Sequence, residues 1–466
     1  MSAPPDVATD VPELSKQQLR RNIFNLVWPI TAENVLQFLI GFINTAMVGR
    51  LGAATVLAVG LSGKIGHFVW IIFNAIGTGT TVLIARTVGA GDPLRVRRVA
   101  QQGLLLALTL VGVVGAAVFI LAPWLLLAFK VTPEALPIGT AYLRIIVFSM
   151  PFQILPMIIG AILRGTGNTK VPMQIAVVTN AIVVVLNSVL IFGRFGFPAL
   201  GFRGPAVSTI IGQAIGATIA VRYLLSDHSG VSMGFEDILP YDVNLIKRIL
   251  GIGVPSSAEM AFWQLAGAIL VRLINGFGTE AGAAYQLGLQ AEGISYMPTA
   301  GFGVAATALV GQSLGARNPA LAERYTKELI KWGLALTSVT TAILVLGPRV
   351  LMGLLTDDQT AIALGAQYLL IMGLSQIPQQ LSGTLSGSLR GAGDTLTPMI
   401  SSGIGIWGCR IPLSFLFSKR FGLSGIWWAI NVDQFVRLII VGLKYLGGKW
   451  KESVENGFEG EMAEGR

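Results

Sequence analysis

The stretch Leu163–Met173, LRGTGNTKVPM, returns as Leu389–Met399, LRGAGDTLTPM, 226 residues further along the chain. The same separation joins Pro29 to Pro255, Glu33 to Glu259, Gly52 to Gly278, Gly89 to Gly315, Pro93 to Pro319, Arg98 to Arg324 and Tyr142 to Tyr368. One register kept over so much of the sequence marks an internal duplication, and the architecture follows from what each copy contains.

Each copy holds six apolar runs with no strand-like alternation. The runs lie near 22–48, 54–86, 94–128, 136–161, 171–193 and 204–225, then near 245–275, 281–313, 320–352, 361–388, 396–417 and 424–447. Runs of about 20 or more residues suit membrane-spanning helices, in which every backbone group is satisfied inside its own segment. Composition agrees. Charged residues make up 12% of the chain and hydrophobic ones 53%, whereas a soluble protein carries roughly 25% charge. The sequence therefore predicts an all-α polytopic membrane protein, twelve transmembrane helices in two pseudo-symmetric six-helix bundles.

Six is an even number of spans, so both copies enter from one side and an axis along the membrane normal relates them. The predicted division is a tail over 1–21, an N-lobe over 22–225, a polar linker over 226–244, a C-lobe over 245–447 and a second tail over 448–466. Placing the termini inside gathers Lys16, Arg20, Arg21, Arg95, Arg97, Arg98, Lys247, Arg248, Arg317, Arg324, Lys327 and Lys331 on the cytoplasmic side. Fewer bases, among them Arg50, Lys130, Arg194, Arg349 and Lys419, fall outside. That bias predicts a multi-pass protein of the cell membrane with both termini cytoplasmic.

Several functions are disfavoured. Cys409 is the only cysteine and His67 and His228 the only histidines, which leaves little for a multi-cysteine metal site or for hydrolysis. No Walker motif supports an ATP-driven pump, and the net charge of +9 is not arranged in basic blocks interleaved with aromatics for nucleic acid. The expectation is a transporter, neither enzyme nor nucleic-acid binder, working without a cofactor and as a monomer among membrane lipids.

Segments across nearly the whole chain, WPITAENVLQFLIGFINTAMVGRLG from Trp28, LRGTGNTKVP from Leu163, VPSSAEM from Val254, MPTAGFGVAATALVGQSLGARNP from Met297 and LRGAGDTLTP from Leu389, resemble the multidrug and toxic compound extrusion family. The resemblance implies secondary antiport in two six-helix lobes, exporting small organic cations or amphipathic drugs in exchange for H+ or Na+. One position departs. Where many relatives carry an aspartate in the first helix, this chain has Asn44, so a coupling scheme centred on that aspartate does not transfer unchanged.

An ionisable side chain inside a membrane helix costs about 2.5–3.5 kcal/mol, so each needs a partner, a cavity or a function. Glu33, Gln37 and Asn44 lie within about 40° of one another on the first helix. If the first two helices pack as a hairpin, Lys64 and His67 stand opposite Glu33, and the set either exchanges a proton or cation or merely locks two helices. In the second copy Glu259 faces Gln264, Gln290 and Tyr296 with no matching lysine. Glu33 and Glu259 are the candidate coupling carboxylates, and the candidate Na+ ligands if sodium drives transport. Glu292 either lines a cavity or pairs with Arg410. Asn180 and Asn187, seven residues apart, share one stripe of the fifth helix, as cavity lining or as packing. The competing reading is a flippase for lipid-linked substrates, which would call for several cavity bases.

Overall fold

The computed structural model describes residues 14–48, 53–129, 132–193, 196, 198–231, 233 and 240–451, without the side chains at 42, 44–46, 48, 53, 54, 56 and 192. Both tails beyond these limits, linker residues 232 and 234–239, Arg50, Lys130, Arg194 and the side chain of Asn44 lie outside the described residues.

The N-terminal half contains α1 (Lys16–Val48), α2 (Ala53–Gly89), α3 (Pro93–Ala128), α4 (Ala135–Val147), α5 (Met150–Thr166), α6 (Lys170–Phe192) and α7 (Gly204–Leu224). The C-terminal half contains α8 (Val243–Asn275), α9 (Thr279–Gly315), α10 (Pro319–Leu346), α11 (Pro348–Gly353), α12 (Gln359–Gly391), α13 (Leu396–Gly403), α14 (Ile411–Phe421) and α15 (Leu423–Leu446). No strand occurs among the described residues. Eleven helices are long and apolar enough to cross a membrane, and α4 with α5, bent by 49°, supplies a twelfth span.

The repeated loops explain the helix ends. Asp92 and Asn318, 226 apart, accept from the amides of Arg95 and Leu321, and Pro93 and Pro319 occupy the first turns of α3 and α10. In the LRG repeats, Gly167 and Gly393 take φ of +91° and +81°, which ends α5 and α12. Asn168 and Asp394 then accept from the amides of Val171 and Thr397 and start the next helices.

Three local expectations change. The fourth span is broken rather than continuous, because Pro151 at the start of α5 restricts the residue before it and cannot extend α4. The tenth span, where Pro378 between Gln376, Gln379 and Gln380 predicts an interruption, is one unbroken helix, α12; Gln376 there donates to the Met372 carbonyl at 3.2 Å. The eleventh span contains a π-helical stretch, Ile404–Arg410, between α13 and α14.

Helix partners define the lobes. In the first half α2 packs on α3, α4 and α5, and α6 packs on α1 and α7; in the second, α12 packs on α9, α10 and α15, and α8 on α13. The two halves meet where α2 crosses α8 and α9 and where α1 crosses α9. These crossings are close enough to need glycine. A Cβ on Gly89 would lie 2.0 Å from the Gln312 carbonyl oxygen, and one on Gly315 would lie 2.0 Å from that of Arg86. Those two contacts are copies of each other under the 226-residue shift.

Polar links follow the same symmetry. Arg86 on α2 donates to the carbonyls of Gly391 and Ala392 at the end of α12. Gln312 on α9, its counterpart, donates to the Gly165 carbonyl near the end of α5 at 2.9 Å. The chain ends join this face, since Arg20 pairs with Glu328 at 3.6 Å and Lys451 with Glu323 at 2.8 Å, both on α10. The links of Arg86, Gln312 and Arg20 join the two halves at the end nearest the termini, so the lobes are sealed on that side.

Candidate functional site

Each lobe carries one carboxylate against one arginine, in equivalent places. In the N-lobe, Glu33 Oε2 lies 3.4 Å from Arg164 Nη1, and Gln37 donates to Oε1 at 3.4 Å. In the C-lobe, Glu259 Oε2 accepts from Arg390, and Ser402 donates to Oε1 at 2.9 Å. Both acids are 226 residues apart, and so are both arginines. The pairs are neither dry nor open, the glutamates being 15% and 13% exposed and the arginines 21% and 23%.

The local sequence builds this geometry. Arg164 and Arg390 sit three residues before the helix-ending glycines, in the last turns of α5 and α12. Side chains on a helix lean toward its N-terminus, so each arginine runs back into its bundle. The Arg164 guanidinium passes over Gly160, where an added Cβ would lie 3.4 Å away. Glu33 stands 17 residues into α1, about 25 Å along its axis.

The predicted partners of Glu33 are therefore replaced. Lys64 and His67 are exposed on α2 and make no hydrogen bond or ion pair with Glu33; His67 instead stacks on Trp70 at 5.5 Å. The physical reason is that α1 and α2 scarcely touch. α1 packs on α6 and α9, while α2 turns toward α3, α5, α8 and α9, so neighbours in sequence are not neighbours in space. The expected neutral surroundings of Glu259 are corrected likewise. Gln264 and Gln290 are exposed, Tyr296 is half-buried, and none bonds to Glu259, whose partners are Arg390 and Ser402. Asn180 is half-buried and Asn187 buried on α6.

A second polar cluster belongs to the C-lobe alone. Glu292 is buried and accepts from Tyr368 and, at 2.9 Å, from Gln376, so its partner is not Arg410. Arg410, 4% exposed, pairs with the fully buried Asp433. The Arg410 and Arg437 guanidiniums lie 4.4 and 5.0 Å from the Trp263 ring centre, at a distance suited to cation–π attraction. Gly405, in the π-helical stretch, makes room for the cluster: a Cβ there would lie 2.1 Å from Asp433 Oδ1. Short π-helical insertions recur at functional sites. Among the described residues no three His, Cys, Asp or Glu side chains gather as a metal site.

Twelve spans in two duplicated bundles, sealed on one side and holding a matched ion pair in each, define a membrane transporter. The chain belongs to the MATE family of multidrug efflux transporters: the MatE family model matches residues 29–189 and again 255–416, two matches that begin 226 residues apart, in the register of the repeat. A relative from Thermotoga maritima, named a probable multidrug resistance protein NorM, is 33% identical over 450 residues, covering 95% of each chain. The uncharacterized transporter YisQ of Bacillus subtilis is 29% identical over 436 residues, 92% of this chain and 94% of that one. Among solved structures, a MATE protein in complex with MaL6 superposes with TM-score 0.87 at 21% identity, over 94% of this chain and 97% of that one. A structure described as the outward-facing conformation of a multidrug resistance MATE family transporter gives 0.87 at 20% identity, with the same coverage.

Proposed function

We propose that the chain is a proton-coupled antiporter that exports cationic or amphipathic organic compounds by alternating access between its two lobes, with both termini in the cytoplasm. The observation that carries this reading is the duplicated pair, Glu33 with Arg164 and Glu259 with Arg390. A proton and a guanidinium compete for the same carboxylate oxygens. Protonation therefore opens the pair, releases the end of α5 or α12 from α1 or α8, and ties the ion's arrival to movement of packed helices. Sodium fits less well, since each carboxylate stands beside a fixed cation and no cluster of three acids supports it among the described residues. With the termini inside, the sealed side is cytoplasmic and the lobes part outward, which is the arrangement that releases a substrate. The multidrug names of the relatives support drugs as that substrate, and the basic residues at the terminal face support the orientation.

Uptake of a fluorescent organic cation into inverted vesicles, with pH and sodium gradients imposed separately, tests the proposal. The expected result is uptake driven by the proton gradient, lost in Glu33→Gln and in Glu259→Gln at unchanged membrane abundance. Uptake that follows sodium alone, or that survives both substitutions, overturns it.

A further inference from the structure

At the sealed face, a cavity of about 330 Å³ opens at the seam between the lobes. Its walls bring Arg86 from α2 together with Asp394 from the α12–α13 turn, Lys444 from α15, and Lys449 and Trp450 beyond it. Three bases thus meet one acid, and Lys444 lies 3.8 Å from that acid, Asp394. Lys449 is exposed and makes no ion pair among the described residues. Trp450 is buried, stacked on Tyr445 at 4.9 Å, with its ring nitrogen donating to the Tyr445 carbonyl. An aromatic fixed this way beside lysines at the end of a span is the usual furniture of a membrane–water boundary.

The helices framing the cavity are apolar on their outer sides. On α13, Leu396 and Ile400 are exposed at one-turn spacing; on α15, Ile439, Leu443 and Leu446 form a second exposed stripe. α13 packs against α15, so the basic cavity caps a cleft whose flanks face hydrocarbon. A free anion would use only the cap. An amphiphile with a negative head and acyl chains uses both, and basic pockets between helices on the cytoplasmic side are where such head groups lodge.

We propose that this cavity binds the phosphate of an anionic phospholipid of the inner leaflet, with its chains along α13 and α15. Arg86 already ties the N-lobe to the end of α12 across the seam. A lipid phosphate held by Lys444 and Lys449 of the C-lobe and by Arg86 of the N-lobe adds a bond across the same seam and favours the sealed state. Assigning the lipid to the inner leaflet rests on the orientation proposed above, whereas its binding in detergent does not, so the two readings fail separately.

The experiment is native mass spectrometry of the purified full chain titrated with phosphatidylglycerol or phosphatidylcholine. Phosphatidylglycerol is expected to bind tighter, and Lys444→Gln with Lys449→Gln to weaken it about thirtyfold, roughly fivefold for each cation near the surface. Lys444→Arg with Lys449→Arg retains the charge and keeps the binding, which separates charge loss from misfolding. In nanodiscs, phosphatidylglycerol raises the sealed population of the wild type and leaves that of the Gln variant unchanged. Equal affinity for both lipids, no loss in the Gln variant, loss in the Arg variant, or displacement of the lipid by millimolar inorganic phosphate overturns the proposal.

Discussion

Replacing Gly315 with Ala tests whether the seal at the terminal face is one end of a working equilibrium. The added Cβ would lie 2.0 Å from the Arg86 carbonyl oxygen and 2.8 Å from its carbon, both backbone atoms that no side-chain rotation can move. Restoring an ordinary contact of about 3.2 Å requires α2 and α9 to separate by roughly 1 Å, and overpacking of this kind costs about 1–3 kcal/mol. The cost falls on the sealed state alone if the crossing comes apart when the lobes rock. The ratio of sealed to open molecules then drops about 5- to 150-fold. Spin labels at Leu94 on α3 and Lys331 on α10, both exposed and one in each lobe, report the distance across the seam. Gly251→Ala is the control, because a Cβ at that helical position meets nothing within 4 Å while the change in helix propensity is the same. The expected result is a longer, broader distance distribution and slower export for Gly315→Ala, with Gly251→Ala unchanged. If the two variants match each other in distance and in transport, the crossing is not a gate.

Two further outcomes follow from the C-lobe cluster. Asp433→Asn leaves the buried Arg410 guanidinium without its counter-charge, which costs about 3–5 kcal/mol and lowers thermal stability in detergent. Arg410→Met combined with Asp433→Leu restores that stability, and a double variant no more stable than the single one would show that the pair does more than neutralise itself. Tyr368→Phe keeps the ring packed 5.7 Å from Tyr285 and 4.9 Å from Trp427 and removes only the hydroxyl that donates to Glu292. A loss of about 1.5–3 kcal/mol with the fold retained, read by thermal unfolding, is expected, and an unchanged midpoint refutes the bond.

The spans were legible because lipid allows so few solutions: a long apolar run must satisfy its own backbone, and the repeat fixes how many runs there are. The two carboxylates inside the spans were legible for a related reason, since a charge such as Glu33 or Glu259 stands out against its helix. Their partners were not. Lys64 and His67 stand opposite Glu33 only if consecutive helices pack side by side, whereas α2 leaves α1 to cross against α8 and α9 of the other lobe. Arg164 and Arg390 lie in the most conspicuous motif of the chain, whose turn glycines by themselves give a sufficient account of the repeat. The signal that finds them was present. Both the glutamates and the arginines obey the 226-residue shift, and charges of opposite sign duplicated together are candidates for one contact.

Duplication also shows where the lobes have parted. Glu292, Arg410, Asp433 and Arg437 stand where the first copy has Gly66, Val184, Val207 and Ile211. Four charges were thus gained or lost at sites buried in the C-lobe, where an unpaired charge is costly. The matched pairs consequently sit in unlike fields: Glu33 bonds to Arg164 and the neutral Gln37, while Glu259 feels Arg437 as a second cation beside Arg390. Equivalent helices with unequal buried charges therefore place the two ion pairs in unlike surroundings, so Glu33→Gln and Glu259→Gln are not interchangeable perturbations of one site.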